Sequence, residues 1–116
     1  MKSYSDLEQS KKLAKILPIE SADMYYSKHS LENYYSPIPH IGVYSYIHND
    51  IPCWSLTALL NILPCPILSK DKLGGDKCGW MVSVYPDNCR YDSCWHSNSI
   101  DACVEMIFKL YELNLL

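Results

Sequence analysis

The chain has 116 residues, 48% of them hydrophobic and 20% charged, with a formal charge of −3. That length suits one hydrophobic core, a single domain over residues 1–116, and excludes two independent ones; the apolar fraction excludes a disordered chain. An acidic balance with one arginine, Arg90, provides no basic stripe for long nucleic acid, and no run approaches the roughly 18 apolar residues of a membrane span.

The first predicted helix covers residues 6–17. Ser5 and Glu8 fit a capping box, Leu7, Leu13, Ala14 and Leu17 share a face, and Pro18 stops the helix. Lys11, Lys12 and Lys15 read as its solvated face. From Met24 the aromatic pattern suits extended chain, and the prolines of residues 36–40 read as a connection or sheet edge. Residues 41–48 alternate as a strand, with Tyr44 and Tyr46 on its second face.

The second helix is expected within residues 51–64. Leu56, Leu59, Leu60 and Leu63 form its apolar stripe, Pro52 is tolerated in its first turn and Pro64 closes it. Residues 65–76, with Pro66 and the Gly74-Gly75 pair, read as a loop. Residues 79–85 and 90–95 then alternate about Pro86, Asp87 and Asn88 as a hairpin. Its buried face is Trp80, Val82 and Val84, expected beneath the leucines of the second helix. The last helix starts after Asn98, with Ile100, Cys103, Val104, Ile107, Leu110 and Tyr111 on its apolar side. The order of elements predicts an α+β fold, three helices packed on a small antiparallel sheet of about four or five strands.

Six cysteines and four histidines raise the question of metal, disulfide or nucleophilic chemistry. Cys78, Cys89, Cys94 and His96 form the best zinc set, but no C-x-x-C occurs, and alternation in residues 89–96 places Cys89 on the face opposite Cys94 and His96. No metal, cofactor or disulfide framework is expected. The start MKSYSDLEQSKK carries no apolar signal core, so the expected compartment is the cytoplasm, where thiols stay reduced. Cys53, at the start of the second helix, is the best nucleophile; the alternatives for its base are His29, His40, His48 and His96. No Gly-rich phosphate loop is present.

Ten tyrosines and three tryptophans against one phenylalanine make the aromatic surface mostly of the kind that bears a hydrogen-bonding tip. Tyr44, Tyr46 and Trp54 are the candidate rings for stacking a base or anchoring a partner, and Arg90 is the candidate cation for a phosphate.

Three segments carry a family resemblance. They are LAKILPIESADM from Leu13, PCWSLTALLNILP from Pro52 and DACVEMI from Asp101. As a set they resemble small uncharacterised proteins of gut Bacteroidales and their phages or prophages, across nearly the whole chain. The resemblance implies a setting, a small intracellular protein encoded by a mobile element; the group has no assigned activity, so no residue role is carried over. The expected function is therefore non-enzymatic binding of a host protein partner. The alternatives are sequestration of a small nucleotide signal such as a cyclic dinucleotide, and a small Cys/His-dependent hydrolase.

Overall fold

The capping box of the first helix lies one residue beyond the expected one. In the computed structural model, which describes residues 2–26, 38–39, 51–74 and 77–116, helix α1 is Leu7–Leu13 and its cap is Asp6. Asp6 Oδ1 accepts the Gln9 N–H at 2.8 Å, and Gln9 Oε1 accepts the Asp6 N–H at 3.1 Å. Ser5 is drawn instead into the interior, where it is fully buried. The helix is shorter than the expected 6–17: the turn after Leu13 tightens, with Lys15 and Ile16 donating to the carbonyls of Lys12 and Leu13. Pro18 then holds an extended conformation and caps a single 3-10 turn over Ile19–Ser21.

Strands β1 (Met24–Tyr26), β2 (Ile38–Pro39) and β3 (Ile51–Cys53) form one antiparallel sheet in the order β2-β1-β3. Residues 51–53, expected within a helix, thus pair with β1, Pro52 lying opposite Tyr25. Proline is tolerated there because, among the described residues, β3 is an outer strand of this sheet. The N-terminal segment continues the pairing as a bridge from Tyr4 to Ser55. Helix α2 is consequently only Leu56–Ile62, capped by Ser55, whose Oγ accepts the Ala58 N–H at 3.2 Å. Asp23 fixes that cap: its Oδ1 accepts the Ser55 N–H at 2.9 Å and its Oδ2 accepts the Ser55 hydroxyl.

The expected loop after α2 contains the longest difference. Ile67–Gly74 is strand β4, paired antiparallel with β5 (Lys77–Val84), which pairs in turn with β6 (Tyr91–Asp92). The expected hairpin between β5 and β6 is present, turned by Pro86–Asn88 with Asp87 and Asn88 at positive φ. Among the described residues, two three-stranded sheets therefore replace the single sheet of about four or five strands. Helix α3, Ser99–Glu112, starts as expected, Asn98 Oδ1 accepting the Asp101 N–H at 2.8 Å.

The core lies between these layers. Helix α3 packs on β5, α2 on α3, and α1 on β3. Val82 and Val84 are buried as expected, against α3 as their main cover, while Trp80 is half-buried. Leu59 is fully enclosed and Leu60 lies at the margin; Tyr111, expected on the apolar side of α3, is 49% exposed. The residue 41–48 strand, with Tyr44 and Tyr46, lies outside the described residues.

Candidate functional site

Of the four candidate ligand residues, Trp54 and Arg90 are described. Trp54 is a core residue at 0% exposure, its indole N–H donating to Ser21 Oγ at 2.9 Å. A ring with no exposed face cannot stack a base unless the core repacks. Arg90 is exposed and paired with Asp92, Nε to Oδ1 at 2.8 Å.

Cys53 is equally enclosed. Its thiol donates to the Ser5 carbonyl at 3.4 Å and receives the Ser5 hydroxyl at 3.6 Å. Burial pushes its pKa up, against hydrogen bonds from Ser5, Ser10 and Tyr26 that oppose the rise. A thiol held neutral and closed to solvent is poorly suited to nucleophilic attack. His96, the one described candidate for its base, belongs to a different cluster.

That cluster is on a groove of about 600 Å³ between α1 and α3. Helical spacing builds one wall: Asp101, Val104, Glu105 and Phe108 recur at i, i+3, i+4 and i+7 of α3. Lys2, Asp6 and Gln9, with Lys12 farther along α1, build the other. Lys2 Nζ bridges the walls, 2.8 Å from Asp101 Oδ1 and 3.0 Å from Asp6 Oδ2. Gln9 Nε2 donates to Asp101 Oδ1 at 2.7 Å, and Asn98 Nδ2 to Asp101 Oδ2 at 2.8 Å. Partial burial raises the Asp101 pKa, but the Lys2, Gln9 and Asn98 hydrogen bonds outweigh it and hold the carboxyl below its ordinary value.

At the far wall, Glu105 joins two elements. Its Oε2 accepts the Cys94 N–H at 2.9 Å, and its Oε1 lies 3.0 Å from His96 Nε2. Burial raises this carboxyl too, and the Cys94 and His96 interactions more than reverse the rise. His96 is itself anchored by two backbone hydrogen bonds with Trp80, at 2.7 and 2.8 Å. The groove thus combines three carboxylates, two ammonium groups, an imidazole and an apolar floor of Val104 and Phe108. Neither of the described candidate ligand residues, Trp54 and Arg90, marks this groove; the signal was the shared face of Asp101, Glu105 and Phe108 on one well-defined helix.

Comparison with known protein families, curated proteins and solved structures finds no match. Among the described residues, no helix is long and apolar enough to cross a membrane, and no three His, Cys, Asp or Glu side chains are grouped to hold a metal ion.

Proposed function

We propose that the chain is a small non-enzymatic cytoplasmic binding protein that takes a host protein partner through the groove between α1 and α3. The observation that carries this reading is the groove's mixed charge around an apolar floor. A protein segment offers side chains of both signs and apolar groups together. A nucleotide offers mainly anionic oxygen, and the groove opposes it with Asp6, Asp101 and Glu105, while Lys2 is already shared by two of them. In the mobile-element setting that the sequence resemblance implies, that partner is a host protein.

The test is paired. With a photo-crosslinking residue in place of Phe108, expression in a Bacteroidales host should yield a discrete protein adduct, and Glu105→Lys should remove it. A panel of nucleotides that includes cyclic dinucleotides should leave the melting temperature unchanged. A nucleotide that raises it, together with no adduct that depends on Glu105, transfers the assignment to nucleotide sequestration.

A further inference from the structure

Among the described residues, strand β4 is an outer strand, and its open edge is patterned residue by residue. On β5, Trp80 directs its N–H and C=O to His96, while Val82 directs its own to the Ser93 hydroxyl and amide. Both therefore turn away from β4. Antiparallel ladders alternate, so the residues opposite them, Lys70 and Leu68, turn their own N–H and C=O groups outward. Among the described residues, none pairs with that edge. At Lys72 the outward direction is capped within the strand, its N–H donating to Asp71 Oδ1 at 2.7 Å. At the other end, Pro66 has no N–H to offer. Leu68 and Lys70 are left as a short open section between two closed ends.

We propose that this edge pairs with the same edge of a second copy, antiparallel about a two-fold axis through Ser69. In that register Leu68 and Lys70 of each copy face Lys70 and Leu68 of the other, and the four outward groups of each strand form four intermolecular hydrogen bonds. Lys72 meets Pro66, so the capped N–H faces the residue that has none, and pairing stops at both ends. Ser69 meets Ser69, and Asp71 meets the exposed Ile67. No like charges stand directly opposite.

The neighbouring registers fail on the same residues. Centring the axis on Lys70 opposes two ammonium groups. Centring it on Asp71 opposes two carboxylates and sets Lys70 against Lys72. Centring it on Leu68 places Lys70 against Pro66 and loses the donor. The charges of Lys70, Asp71 and Lys72, which protect an edge against indiscriminate pairing, here select one register of one partner. The product is a single six-stranded sheet across an isologous dimer.

Sedimentation of the full chain across a concentration series up to about 1 mM should show a reversible monomer–dimer equilibrium. Lys70→Pro removes one outward donor per copy and no ladder hydrogen bond to β5, along with the ammonium that lies 5.1 Å from the Trp80 ring centre, and should weaken association about tenfold. Ser69→Lys, which puts two ammonium groups on the axis, should also weaken it. Ser69→Cys should form a 69-to-69 disulfide with oxidised glutathione, since facing residues of a non-hydrogen-bonded pair are about 4.5 Å apart at Cα. Asp71→Cys, opposite Ile67, should give no corresponding 71-to-71 link. A monomer at every concentration, or a dimer indifferent to both Lys70→Pro and Ser69→Lys, overturns the proposal; if Lys70→Pro does not fold, Ser69→Lys and the disulfide decide it.

Discussion

The backbone N–H of Trp54 donates to the hydroxyl oxygen of Ser5 at 3.1 Å, inside the protein and across 49 positions of sequence. The same hydroxyl is 2.7 Å from that of Ser10, and the Ser5 carbonyl accepts the Tyr26 hydroxyl at 2.8 Å. One buried serine therefore joins the N-terminal segment, α1, β1 and the end of β3. Ser5→Ala leaves the Trp54 amide without its acceptor, and should cost about 1–3 kcal/mol in urea unfolding. Ser5→Ala and Ser10→Ala combined should cost less than their sum, because both remove the same hydroxyl pair.

Leu59 and Leu60 separate the core from its margin. Leu59 is fully buried, whereas Leu60 only packs against the cluster from outside. Leu59→Ala should cost about 2–5 kcal/mol, and Leu60→Ala clearly less. Equal losses in chemical denaturation would show that the two faces of α2 are not distinguished in this way.

Acid should act through the groove. Asp101, Glu105 and Asp6 all hold folded pKa values below their ordinary ones, despite burial that raises each. A depressed folded pKa gives stability that is present above the unfolded value and lost as pH falls through the folded one. The melting temperature should therefore decline from about pH 5 downward. Glu105→Gln and Asp101→Asn should each lower stability at neutral pH and flatten the acid limb; an unchanged limb in both variants contradicts the assignment.

Thiol reactivity should follow burial. Burial pushes the Cys103 thiol up to about 12 and raises Cys53 as well, while Cys65, Cys89 and Cys94 are exposed. Iodoacetamide at neutral pH should label Cys65, Cys89 and Cys94 in the folded protein, and Cys53 and Cys103 only after unfolding. Rapid native labelling of Cys53 would restore it as a nucleophile.

Local signals were sufficient where an element needs few distant partners. Asn98, Asp101 and the apolar repeat of residues 100–110 define α3 from within, and the Pro86–Asn88 turn defines the β5–β6 hairpin. Elements that depend on remote pairing were not legible. Pro52 and Cys53 continue a helical pattern in sequence, yet pairing of residues 51–53 with β1, and of Ser55 with Asp23 and the Tyr4 bridge, ends the strand and sets the helix start. The polar segment SKDK resembles a loop, and becomes strand because β5 satisfies its inner edge while its charged side chains remain in solvent.

The sequence by itself determined the α+β class, the final helix and the hairpin before it, because capping, period and turn chemistry act within a few residues. Only the tertiary structure decided that Trp54 and Cys53 belong to the interior, that the strands divide into two sheets, and that Lys2, Asp101 and Glu105 meet on one groove. The physical reason is that burial and ion pairing join residues as far as 99 positions apart, and no local pattern encodes which of many polar side chains will face one another once the helices pack.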